Sequence, residues 1–242
     1  MRQNIRKAII FISFLFFPIT IYYFSPALII MGAGQGIIAG SFVIFLLMFM
    51  GSLFFGRAFC GWLCPAGGLQ DYCSVVVGKK ARGGRFNWIK FFIWVPWIGI
   101  IIFAALSAGG LKTVDFFYQT DHGISIANIN AYIIYYFFVG LIVLLAFIAG
   151  KRAFCHYVCW MSPFMMIGNK IKNLVGLPAL NLTVNTDKCN GCKSCNKNCP
   201  MSIEVSEMVQ RGALEDSECI RCGECVDGCP RGVIKYSLRP QK

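Results

Sequence analysis

The sequence predicts an α-helical membrane protein of four transmembrane helices, arranged as two repeated hairpins, with a small cysteine-rich α+β domain at its C-terminal end. Three observations carry this fold class: an apolar, charge-poor composition, four apolar stretches of spanning length, and cysteines gathered in two dense runs near the end of the chain. The 242 residues are 57% hydrophobic and 14% charged, with a mean hydropathy of +0.62, too apolar for an ordinary soluble domain. We divide the chain into a membrane domain, residues 1–180, and a C-terminal domain, residues 181–242.

Four apolar stretches, near Ile5–Phe24, Gly36–Phe55, Ile89–Ala108 and Ala131–Gly150, are each long enough, at roughly 20 residues, to cross a bilayer as a helix. Turn and charge signals separate them: Ser25-Pro26, the glycines from Gly32 to Gly36, the basic run from Lys79 to Arg85, and the polar segment from Gly109 to Asn130. Arg2, Arg6 and Lys7 followed by an apolar run also resemble a secretory signal. No small-x-small cleavage site follows, and three further spans would remain in any case.

A net charge of +12 raises the question of nucleic acid, and the distribution of charge answers it. From Thr186 onward nine basic residues face eight acidic ones, whereas the first 185 residues carry fourteen basic residues against Asp71, Asp115 and Asp121. Lys and Arg are retained on the cytoplasmic side of a membrane during insertion. With the N-terminus inside, every basic residue of the membrane half except Lys112 falls on that side. The excess positive charge is therefore a topology signal, both termini are expected in the cytoplasm, and no nucleic-acid partner is needed.

The C-terminal domain contains Cys189-x2-Cys192-x2-Cys195-x3-Cys199-Pro200 and, later, Cys219-x2-Cys222-x2-Cys225-x3-Cys229-Pro230. Three cysteines at this spacing wrap one corner of a four-iron cube, and the fourth, followed by proline, reaches the other cluster. The expected ligand sets are Cys189, Cys192, Cys195 and Cys229 for one [4Fe-4S] cluster, and Cys219, Cys222, Cys225 and Cys199 for the second. Zinc sites seldom carry a third regularly spaced cysteine and the Cys-Pro ending twice over. The domain resembles bacterial two-cluster ferredoxins, which places it in a reducing compartment. Between the motifs, Val205 to Arg211 followed by Gly212 reads as a short helix with a glycine stop. With every iron ligated by thiolate, no position is left for a substrate, so the domain is expected to move electrons.

A second signal closes each helical hairpin. Gly56-Arg57-Ala58-Phe59-Cys60-x3-Cys64-Pro65 is echoed by Gly150-Lys151-Arg152-Ala153-Phe154-Cys155-x3-Cys159, an internal repeat at matched depth. If the helix continued through the motif, its two cysteines would share a face. Three readings stay open for Cys60, Cys64, Cys155 and Cys159: ligands of a third iron–sulfur or other metal site, redox thiols, or small buried residues at a packing face.

The stretch from Gly56 to Asp71, followed by further spans and a two-cluster tail, resembles the NapH/NosR-like membrane polyferredoxin family. The resemblance implies a multi-pass protein of a prokaryotic cytoplasmic membrane, a subunit of an oxidoreductase complex rather than a stand-alone enzyme. It also implies electron exchange among a cytoplasmic donor or acceptor, a quinone pool and redox subunits across the membrane. The chain departs from the family pattern in having Trp160 where proline would follow the second motif, and no flavin-binding domain is visible. The alternative is a redox sensor or a metal-reducing assembly factor using the same clusters.

The remaining features are weaker. Cys73 lies outside both motifs and is read as a plain small residue, and His156, inside the second motif, as an interface residue, metal ligand or proton acceptor. His122, Asp115 and Asp121 belong to the outer loop. Two histidines and no Cys-x-x-Cys-His leave haem unsupported, and the glycines from Gly32 to Gly36 precede a span rather than follow a strand, which excludes a dinucleotide fold. Trp62, Trp88, Trp94, Trp97 and Trp160 are read as an aromatic belt at the bilayer boundary.

Overall fold

The computed structural model describes residues 1–238. Helix α1 (Arg2–Leu15) stops at Phe16 and resumes as α2 (Phe17–Thr20) and a 3-10 turn over Ile21–Phe24, bent by 59° from α1. Pro18, in the first turn of α2, has no N–H to continue the α1 ladder and its ring crowds the preceding turn, which accounts for the break inside the stretch expected to run unbroken from Ile5 to Phe24. Ser25 then caps α3 (Pro26–Gly34), its hydroxyl accepting from the Leu28 N–H.

The first repeat follows. A short strand β1 (Ile37–Ala39) leads into α4 (Gly40–Phe55), then α5 (Ala58–Trp62) and α6 (Pro65–Val76). Helix α7 (Ile89–Ser107) crosses back to strand β2 (Thr113–Asp115), which pairs parallel with β1, Ile38 opposite Val114. The second repeat is α8 (Ile129–Ala149), α9 (Ala153–Tyr157) and α10 (Ser162–Val175). The long helix of each repeat packs against the last helix of the other, α4 along α10 and α8 along α6, so the two units interlock. Each short helix is reached through a glycine with positive φ, Gly56 at 57° and Gly150 at 102°, a conformation open to glycine and costly to other residues.

Among the described residues, two helical segments are long and apolar enough to span a bilayer, Gly84–Ser107 and Ile129–Ala149, and the bent pair Arg2–Leu15 with Phe17–Phe24 makes a third if taken as one span. Gly40–Phe55 is equally apolar and shorter. Outward-facing Phe92, Phe103, Leu106, Ile133, Phe137 and Ile148 are exposed over more than half their surface, as lipid-facing side chains are. Trp97 and Trp160 donate to the Pro26 and Phe24 carbonyls, and Trp62 to that of Arg221, whereas Trp88 is exposed.

The C-terminal part is an antiparallel pair, β3 (Asn181–Val184) with β4 (Ile234–Ser237), and three short helices, α11 (Ser194–Asn198), α12 (Val205–Gln210) and α13 (Glu224–Asp227). Its own core comprises Leu182, Val205, Val209, Leu214, Val233 and Ile234. Helix α12 gives way to Gly212 at φ 79° and lays Val205 and Val209 inward between the two cysteine motifs.

Candidate redox site

The cysteines of the C-terminal part line two cavities. Cys189, Cys192 and Cys195 share one with Cys229, against Val209 and Ile234. Cys219, Cys222 and Cys225 share the other with Cys199, against Met201, Ile203 and Leu214. In each motif the third cysteine sits in a one-turn helix, α11 or α13, entered through a left-handed residue: Lys193 at φ 56° or Gly223 at 81°. That turn brings the loop cysteines and the helix cysteine round one space, while the Cys-Pro end leaves toward the other. Cys192 is exposed, whereas Cys222 and Cys225 are buried. Among the described residues no three Cys, His, Asp or Glu converge on a single ion-sized point. Four thiols around each cavity suit a four-iron cube, whose ligands approach its corners.

The four membrane cysteines come together. Cys60 in α5, Cys64 at the start of α6, Cys155 in α9 and Cys159 just beyond it are 3–4% exposed and belong to one core with Phe154, Met161 and Met165. The helix does not run through either motif: α5 ends at Trp62, and Cys64, in extended conformation, begins α6. The i, i+4 geometry is thus replaced by a helix-break-helix turn, and the face the quartet shares is made by the two repeats together. Cys60 Sγ is 3.9 Å from Met165 Sδ, and Gln70, fully buried, donates to Cys155 Sγ at 3.2 Å while accepting from the Phe154 N–H. Burial, then the Cys60, Cys155 and Cys159 sulfurs, pushes the Cys64 thiol well up, and burial with Cys155 and Cys60 pushes Cys159 up to about 12. Thiols so placed ionise only with a cation or a cationic cofactor among them.

Two arginines, one from each repeat, supply positive charge to this core. Arg152 donates through Nε and Nη2 to both oxygens of Asp71, at 2.7 and 2.8 Å, and through Nη1 to the Cys60 carbonyl. Arg57, 1% exposed, donates through Nη1 to the Ser217 carbonyl and to Glu218 at 2.7 Å, while its Nε and Nη2 have no partner in the protein. A buried guanidinium with two unmet donors, within reach of the Cys60 and Cys155 sulfurs, fits an anionic group, such as a thiolate-ligated cluster, in that space.

The second ferredoxin motif rests directly on the first membrane motif. Met201, Ile220 and Cys222 share the core of the membrane cysteines. Trp62 donates to the Arg221 carbonyl, Gln3 to that of Cys222, and Arg6 to the Gly61 carbonyl, Asp71 and Glu224. Lys90, fully buried, pairs with the second oxygen of Glu218. Gly61 is required by the closeness of this approach, since a Cβ there would stand 2.5 Å from the Ile220 carbonyl oxygen. His156 is 2% exposed and spends both ring nitrogens on Asn87 and the Met201 carbonyl, each at 3.0 Å. Burial pushes it down to about 4, so it stands as a neutral strut between the two parts.

The sequence reading missed Arg57, Gln70, Asp71, Lys90, Arg152 and Glu218. The signal for the two arginines was present, each opening an Arg-Ala-Phe-Cys repeat. Asp71, alone in acidity between Met1 and Lys112, was a second signal. Cys73 stands apart from the quartet, and His122 pairs with Asp121 on the exposed outer loop.

Comparison with known proteins agrees with this division. The family described as "4Fe-4S binding domain" matches twice, over 37–83 and 131–178, the two repeats, and the "4Fe-4S dicluster domain" matches 188–234. An uncharacterized protein of Methanocaldococcus jannaschii, MJ0750, is 27% identical over 99% of this chain and 96% of its own length. The putative electron transport protein YccM of Escherichia coli is 26% identical over 78% of this chain and 53% of its own, and the ferredoxin-type protein NapH of Haemophilus influenzae is 23% identical over 76% and 63%. The chain thus spans between about half and two thirds of the length of these last two relatives. No solved structure matches the chain. Repeat, dicluster domain and apolar helices together define a membrane-associated iron–sulfur electron-transfer protein. These relatives and the two iron–sulfur family models support a NapH/NosR-like polyferredoxin family for the chain.

Proposed function

We propose that the chain is the membrane subunit of an oxidoreductase complex, passing electrons between a cytoplasmic redox partner and a quinone pool or a redox partner across the membrane. The observation that carries this reading is the common core of Met201, Ile220 and Cys222 with Cys60, Cys64, Cys155 and Cys159, which packs the second ferredoxin motif against the membrane cysteines. Cys189, Cys192, Cys195 and Cys229 would hold one [4Fe-4S] cluster, Cys219, Cys222, Cys225 and Cys199 the second, and the membrane quartet a third. Clusters at these residues supply one-electron carriers in sequence, from the exposed Cys192 motif through the packed Cys219 motif to the membrane.

The chain's own residues do the positioning. Glu218, Arg57 and Lys90 hold the second motif against the first repeat, Arg152 and Asp71 hold the two repeats together, and Phe154, Met161 and Met165 keep water from the quartet. Beside Cys64 lies a small apolar cavity of about 60 Å³ walled by Ile21, Phe24, Phe138 and Trp160, which would have to widen to admit a lipophilic ring. In this reading the bent first pair and Gly40–Phe55 join the two long helices to make four spans. Arg2 pairs with Asp227 at 2.6 Å, which supports a common side for the N-terminus and the ferredoxin part, the cytoplasmic one by the distribution of Lys and Arg.

The test is reoxidation in nanodiscs. The dithionite-reduced protein is mixed with a quinone analogue and its iron–sulfur absorption followed, for the parent and for the Cys60→Ser, Cys155→Ser variant. Fast reoxidation in the parent and slow reoxidation in the variant is expected. Equal rates would remove the membrane cysteines from the path.

A further inference from the structure

The two repeats present their arginines differently. All three nitrogens of Arg152 are engaged, by Asp71 and the Cys60 carbonyl. Arg57, its counterpart, commits Nη1 to the ferredoxin part and leaves Nε and Nη2 unpartnered at 1% exposure. Arg57 starts the turn that carries Cys60, whose N–H donates to the Arg57 carbonyl at 3.0 Å. Besides Glu218, the groups within its electrostatic reach include Cys60 and Cys155 of the membrane quartet, Cys219 of the second ferredoxin motif, Asp216, Lys90 and His156. Buried donors are rarely left unmet, and the Cys60 and Cys155 sulfurs of the quartet are among the acceptors within that reach, beside the Asp216 carboxylate. Glu218 neutralises the cation only in part, because the same carboxylate also serves Lys90.

We propose that Arg57 is a positioning residue whose Nε and Nη2 donate to the anionic iron–sulfur group of the membrane cysteines, raising its reduction potential so that electrons settle there from the ferredoxin part. This rests on the reading that the quartet holds a cluster. A cation with hydrogen-bond donors at the sulfurs favours the more negative, reduced form, and hydrogen bonding to sulfur is one of the levers that sets cluster potentials. The ferredoxin motif and the quartet are thereby joined by one side chain that docks the first and tunes the second.

The experiment is an EPR-monitored redox titration, with iron counts, of the full chain and of its Arg57→Gln, Arg57→Lys and Arg211→Gln variants. Arg211 is an exposed control. Arg57→Gln is expected to keep its iron and to favour oxidation of the quartet's signal at least tenfold, a downward shift of about 59 mV for one electron. Arg57→Lys, with the charge but not the fork of donors, is expected between that value and the parent, and Arg211→Gln at the parental value. If Arg57→Gln loses the quartet's iron, Arg57→Lys decides alone: a lowered potential supports the proposal and a parental one overturns it. A merely structural Arg57 would alter docking and leave the potential within twofold of the parental equilibrium, which also overturns it. A parent protein with no iron dependent on Cys60 and Cys155 would instead refute the cluster reading itself.

Discussion

Replacing Glu218 by glutamine tests how the ferredoxin part is held to the membrane. Glu218 is 5% exposed and accepts from Arg57 through one oxygen and Lys90 through the other, and these cations are 1% and 0% exposed. The amide keeps the volume of the side chain and removes its charge, leaving two buried cations without a counter-ion. Breaking a buried pair from one side costs about 3–5 kcal/mol. At 1.4 kcal/mol per tenfold, that is a rise in the open population of the interface from roughly 10²-fold to several thousand-fold. The assay is amide hydrogen exchange in nanodiscs, read at Trp62 and at Ile220 to Cys222, whose backbone lies in the contact. Protection should fall by about two decades or more at these amides and stay unchanged at the far pairing of Ile38 with Val114. Removing the exposed Arg211–Glu207 pair by Arg211→Gln should cost no more than about 0.5 kcal/mol. Protection within threefold of the parent in Glu218→Gln would refute the clamp.

Three further outcomes follow from the same contacts. Gly61→Ala sets a Cβ 2.5 Å from a backbone oxygen that cannot swing away, and should weaken the interface by about 1–3 kcal/mol, read by the same exchange. Burial pushes the carboxyls of Glu218 and Asp71 up, but Arg57 and Lys90 beside the first, and Arg152 and Arg6 beside the second, outweigh it and hold both below the usual carboxylate range. Folded-state values below the unfolded ones of about 4 mean that this stabilisation is complete at neutral pH and is lost as pH falls through the lower folded values, so protection should be flat from pH 7 to about 5 and drop below about 4. Protection that rises on acidification would contradict the assignment. Asp71→Asn leaves Arg152 buried with a neutral partner and should loosen the contact of α6 with α8 by about 3–5 kcal/mol, seen as faster exchange in α9.

What the sequence made legible is what lies in local spacing. The cysteine motifs, the Arg-Ala-Phe-Cys repeat, the α12 turn and the apolar stretches are each written within a few dozen residues. Pro18 marked the break between α1 and α2, yet an apolar run on both sides of a proline reads the same whether the helix bends by 59° or continues. The cysteine spacing suggested one continuous helical face, and the structure answers with two short helices per motif, because Pro65 and Pro163 start new helices after each turn. The clamp was invisible for a different reason. Arg57 and Glu218 are 161 residues apart, and no local pattern announces which lone carboxylate will meet which buried cation. The pairing of β1 with β2 is likewise three residues long and spans four helices, α4 to α7.

Electron transfer through this chain depends on whether the membrane cysteines hold a cofactor in line with the ferredoxin part. The most direct measurement is an iron and acid-labile sulfide count, with EPR, on anaerobically purified protein and on the Cys60→Ser, Cys155→Ser variant. About twelve irons per chain in the parent, falling to about eight in the variant with the ferredoxin signals intact, is the predicted result. About eight in both would contradict it and leave the quartet as buried thiols.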